Sequence, residues 1–159
     1  MTTSKKSATP AKTSAITPED ILAGLTPDVA DLVQDLRRLI LDTVPDAVEI
    51  AYPVWKGIGY HHGTSGYFCA IFPQPSGVKL GFEFGVLLPD PDRVLEGAGK
   101  QVRYVVIQDA ARGAAQIPAG AIKRLLAAAL SLPEGKDAKL SMVRAGAKLI
   151  QAPDQMPES

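Results

Sequence analysis

The sequence predicts an α+β domain in which about five short antiparallel strands are covered by amphipathic helices on one side. Three observations carry this expectation. Apolar residues recur at helical spacing before Pro45 and again after Pro118. Between those prolines, β-branched and aromatic residues alternate with polar ones in short runs. Gly57, Gly63, Gly66, Gly77 and Gly85 punctuate the runs, leaving connections short enough for antiparallel neighbours.

Taken in order, "TPED" offers Thr17 as an N-cap, Pro18 at the first helical position and Asp20 three residues after the cap, with Gly24 ending a short helix. Thr26-Pro27-Asp28 starts a second helix. Val29, Leu32, Val33, Leu36, Leu39 and Ile40 form its apolar stripe until Pro45 stops it, with Asp31, Asp35, Arg37 and Arg38 expected in water. Strands are expected near residues 47–54, 57–62, 67–73, 77–84 and 103–108. Pro89-Asp90-Pro91 predicts a turn of helix over Asp92 to Leu95, with Asp90 and Asp92 as caps or turn formers, and "GAGK" reads as a flexible turn. A helix from Pro118 carries Ile122, Leu125, Leu126, Ala129 and Leu130. After Pro133 to Gly135, a last helix carries Leu140, Val143, Ala147 and Ile150, a stripe that suits docking on the domain or on a second copy. Its Lys136, Lys139, Arg144 and Lys148 read as a solvated basic face, with a weak contact to an anionic surface as the alternative. Residues 16–150 therefore form one domain, flanked by tails at 1–15 and 151–159 that lack the apolar content to order themselves.

Composition narrows the function classes. The chain has 159 residues, 46% apolar and 21% charged, which is ordinary for a single globular domain. Seventeen basic residues balance seventeen acidic ones, so the positive field that nucleic-acid partners require is not expected. No run approaches the ~20 apolar residues of a membrane span, and no membrane partner is expected. A lone Cys69 forms no internal disulfide, which fits a reducing cytoplasm, and its setting in "YFCAIF" reads as core packing. His61 and His62 point to opposite faces of a strand, so one at most joins any site. "GAGK" lacks the spacing and following helix of a phosphate loop, and Ser65 and Ser76 sit outside any nucleophile-elbow pattern. No catalytic residue is expected.

The candidate site follows from strand parity. Lys79, Gly81 and Glu83 share a face opposite Val78, Leu80, Phe82 and Phe84. With Val48, Ile50 and Tyr52 turned inward, Glu49 and Trp55 join the open face, and with Tyr104 and Val106 inward Arg103 joins too. That face suits a small polar or anionic molecule, with Lys79 and Arg103 gripping an acidic group while Trp55 or Tyr60 stacks on an apolar part. The same charges also fit a solvated sheet face, where cross-strand pairs contribute only ~0.2–1 kcal/mol.

"EIAYPVWKGIGY" and "VKLGFEFGVLLPDPDRVLEGAGKQVRYVVI", with the amphipathic helix before them, resemble the YdhG-like family of unknown function over roughly residues 20 to 130. The resemblance implies a curved antiparallel sheet with helices packed on one face. Some members are proposed as frataxin-like iron chaperones, so iron is the one cofactor it implies, for which Glu49 and Glu83 would offer two carboxylates. The expectation is a non-enzymatic ligand-binding domain, monomer or homodimer, with iron delivery and protein–protein interaction as alternatives.

Overall fold

The computed structural model describes residues 16–63 and 65–147, and the two expected tails, Lys148 and Ile150 lie outside them. Helix α1 (Pro18–Ala23) starts as its sequence dictates: the Asp20 amide donates to the Thr17 hydroxyl and the Thr17 amide to the Asp20 carboxylate at 2.8 Å. Helix α2 (Pro27–Thr43) buries Val29, Leu32, Val33, Leu36 and Ile40, and stops at Val44 before Pro45. Removing any one of these large side chains would cost ~2–5 kcal/mol.

Six strands follow: β1 (Val48–Tyr52), β2 (Gly57–His62), β3 (Gly66–Gln74), β4 (Gly77–Phe82), β5 (Leu95–Glu96) and β6 (Arg103–Ile107). They pair antiparallel in the order β1-β2-β3-β4-β6-β5, an open, curved sheet in an α+β fold. Strand β5, beyond the five expected, replaces the helical turn expected over 92–95. The Asp90 carboxylate accepts from the Val94 and Leu95 amides at 2.9 and 3.0 Å and Arg93 takes a φ of 57°, which breaks a helix and feeds Leu95 into pairing with Val105.

One face of the sheet carries Ile58, Tyr60, Cys69, Ile71, Val78, Leu80, Phe82, Val105 and Ile107, all buried with α2 and with helix α3 (Ala119–Leu130) in a single core. A register shift between Tyr60 and His61 places one extra residue in β3, so Phe68 and Cys69 are both buried. Helix α4 (Lys136–Arg144) packs Leu140, Met142 and Val143 against this core, so it docks on its own domain. Its basic face is not fully solvated. Lys139 is 2% exposed because it neighbours Leu140 and Val143 on the inward stripe.

Candidate functional site

Strand register decides which residues meet. Glu49 pairs with Tyr60 and Ala51 with Ile58, so Glu49 faces the helices, not the open side. Its carboxylate accepts from Arg37 Nε and Nη2, both at 2.9 Å, and from the Tyr60 hydroxyl at 2.6 Å. Arg37 is therefore turned inward as well, its side chain 14% exposed against 16% for Glu49. Burial pushes the Glu49 carboxyl upward, but the Arg37 and Tyr60 hydrogen bonds outweigh it and hold the group below the usual carboxylate range. Burial, then the neighbouring carboxylate, drives the Tyr60 phenol far above its ordinary value. Tyr60 is fully buried, so its ring offers no free face for the stacking expected of it.

The same inversion occurs in β6. Arg103 pairs with Phe82 and Val105 with Leu80, whereas Tyr104 and Val106 lie across from Gly81 and Lys79. Arg103 thus sits on the helix side, its Nη1 donating to the carbonyls of Gly99 and Val102 at 2.7 and 2.9 Å. Of the four charges expected together, Lys79 and Glu83 remain on the open side, and Glu83 stands at its end, accepting from Gln101 at 3.1 Å. Burial raises the Glu83 carboxyl, with Lys136 and Gln101 pulling against it. The inward-hydrophobe rule failed for Val48, Ile50, Tyr52, Tyr104 and Val106 because the outward face is itself apolar.

That face is aromatic. Ile50, Gly59, Ala70, Gly81 and Tyr104 form one cross-strand row, small in its middle three members. Rings from the rows on either side lean into the gap. A Cβ on Gly59 would lie 2.5 Å from Tyr52 Cε2, and one on Gly81 would lie 3.0 Å from Phe72 and 3.1 Å from Tyr104. Trp55, carried by the turn after β1, stacks on Tyr52 at 4.4 Å and stands 6.2 Å from Tyr67 and 6.0 Å from Phe72. His61 continues the set 5.3 Å from Tyr67, and Phe72 meets Tyr104 edge-on at 6.3 Å. Such pairs add ~0.5–1.5 kcal/mol each beyond area burial, so the rings hold one another in place.

Polar groups are few and specific. Tyr52 Oη and His61 Nε2 are 2.7 Å apart, and burial lowers the His61 pKa, which keeps the imidazole neutral near pH 7. Lys79 extends its ammonium over Tyr104, 5.4 Å from the ring centre, next to Phe72 across the strand pair. Trp55 is 48% exposed, and the edge beside it leaves Val54, Val48 and Ile50 in water. An exposed, contiguous apolar patch of this kind marks a contact surface more often than chance decoration.

The larger clefts lie elsewhere. One of about 450 Å³ between α1 and the Pro53 turn is lined by Ile21, Leu25, Val29, three prolines and Lys56, with no aromatic ring and with Asp20 already spent on its helix cap. Volume alone does not outrank the sheet face, where rings and a cation are prearranged. Among the described residues no group of three or more His, Cys, Asp or Glu side chains could hold a metal ion, and Glu49 and Glu83 are not brought together. His62 turns away from His61 and meets Asp46 at 3.0 Å. The glycines at alternate strand positions, Gly57, Gly59 and Gly81, were the sequence signal for the ring platform. Comparisons with protein-family models, with curated proteins and with solved structures find no match for this chain, so the YdhG-like resemblance rests on the quoted runs alone.

Proposed function

We propose that this protein is a binding domain without chemistry of its own, which holds a small ligand whose flat ring lies on the Trp55, Tyr67 and Phe72 rings and whose acidic group meets Lys79. The observation that carries this reading is the half-exposed Trp55, already stacked on Tyr52 at 4.4 Å and surrounded by further rings. Because neighbouring side chains hold the platform, little conformational freedom is lost on binding. The Tyr52 and His61 pair offers a neutral polar anchor, and Lys79 sets the preference for carboxylate or phosphate over neutral ligands.

Trp55 is the only tryptophan, so its emission reports occupancy of the face directly. A panel of aromatic carboxylates and phosphorylated heterocycles titrated against the protein should give a saturable emission change with a subset. By calorimetry, Lys79→Met should weaken those acids ~10-fold, equivalent to about 1.4 kcal/mol, and leave their methyl esters unaffected. A panel without hits, or hits bound equally by Lys79→Met and Tyr67→Ala, would remove the proposal.

A further inference from the structure

We infer that a second site, a cleft of about 340 Å³ between the β2–β3 turn and the start of α4, binds a small oxyanion through Lys139 and Lys136. Lys139 is the departure point. It is 2% exposed, and charged side chains are almost never that deeply buried unless paired. Yet among the described residues it makes no ion pair. Its ammonium reaches the carbonyls of Ser65 at 3.3 Å and Gly135 at 3.5 Å, both long, and lies 5.8 Å from the Phe84 ring centre. An ammonium carries three donors, so these contacts leave one donor without a described acceptor, and the Glu134 carboxylate acts on its charge only from beyond ion-pair distance.

The cleft lined by this side chain suits an anion. Lys136, the exposed first residue of α4, lines it from the same helix, and Gly135 at the N-cap has no side chain to cap the first-turn amides. Glu83 is the one acid on the wall, bonded to Gln101 and attracted to Lys136, so two ammonium groups against one carboxyl leave the lining one positive charge in excess. A carboxylate or phosphate group entering here would give Lys139 and Lys136 a shared partner in a partly dry setting, where such bonds are strongest. Tyr67 forms the wall between this cleft and the aromatic face, but neither Trp55 nor Lys79 lines it. The site therefore stands whether or not the sheet face binds a ring.

Amide NMR of the full chain, titrated separately with sodium phosphate, sodium acetate and, as ionic-strength control, sodium chloride, tests this. Saturable shifts are expected at Gly135, Lys136 and Asp137, with phosphate or acetate naming the preferred oxyanion and chloride producing none. Lys136→Gln, at an exposed position, should weaken the response several-fold, Lys139→Met should abolish it, and Trp55→Leu should leave it intact. Should Lys139→Met fail to fold, Lys136→Gln decides. The inference is overturned if neither oxyanion shifts these amides beyond chloride, or if the response in Lys136→Gln equals that of the unaltered chain.

Discussion

A methyl group at Gly59 probes the aromatic face without deleting any of its rings. Built on the backbone, the new Cβ of Gly59→Ala lies 2.5 Å from Tyr52 Cε2 and 3.3 Å from Tyr67 Cε1, and the first distance is too short to persist. Tyr52 is a side chain and can swing, so the ring moves and the strand stays. It then gives up its stack on Trp55, worth ~0.5–1.5 kcal/mol, and its hydrogen bond to His61, worth ~0.5–1.5 kcal/mol. Relief of the glycine's backbone entropy returns ~0.5–1 kcal/mol. The net expectation is a loss of about 1 kcal/mol, or ~2–4 °C in Tm for a domain of this size, with a red-shifted Trp55 emission as the indole loses its cover. Urea unfolding and steady-state fluorescence measure both. A variant that gains stability while its emission stays unchanged would show that Tyr52 does not lie across Gly59, and the ring platform would have to be redrawn.

Three further outcomes follow from the same geometry. Arg37→Met should cost ~2–4 kcal/mol in chemical denaturation, because it strands the Glu49 carboxylate between helix and sheet; the figure is trimmed from the deep-burial range since both side chains keep some solvent contact. Stability should fall in two acid stages. His61, whose pKa is lowered by burial, contributes stability that is present above its unfolded value of ~6.5 and lost as pH falls below it. Glu49 is also lowered overall, so its contribution is present above ~4.3 and lost as pH falls through its folded value. In Tm measured against pH, His61→Gln should flatten the first stage and Glu49→Gln the second; two unaltered profiles would contradict the assignments. Gly77→Ala places a Cβ 2.0 Å from the Ile107 carbonyl oxygen on a paired strand and should cost ~2–3 kcal/mol or more, whereas Gly63→Ala, with nothing within 4 Å, should leave Tm unchanged.

Much of the fold was legible because local rules and tertiary packing agree. The Thr17 capping box, the stripe from Val29 to Ile40 and the glycine-bounded strands each obey a single period, and each stands where its residues demand. The site was less legible, since parity within a strand gives two faces but not which of them is inward. For "VEIAY" and "RYVVI" the assignment used hydrophobicity, and this sheet is apolar on both sides. Glu49 could be placed inward only by knowing that Arg37, twelve residues earlier, turns in to meet it, a contact between segments that no strand period encodes. Strand parity put Lys79 on the open face, whereas Trp55 reaches that face through the turn after β1 and stacks on Tyr52, not beside Glu49 as parity had it; their partners Tyr52, Tyr67, Phe72 and Tyr104 are scattered along the sequence and converge only through register. Lys139 was hidden for a similar reason, as one lysine among several on a helix whose inward stripe included it.

The most direct test of the binding face is a set of nuclear Overhauser contacts between the ring protons of a ligand recovered by Trp55 fluorescence and the protein's aromatic side chains. Contacts to the Trp55 indole together with the Tyr67 and Phe72 rings are predicted. Contacts confined to Ile21, Leu25 and Pro53 in the cleft beside α1, with none to Phe72, would contradict the account.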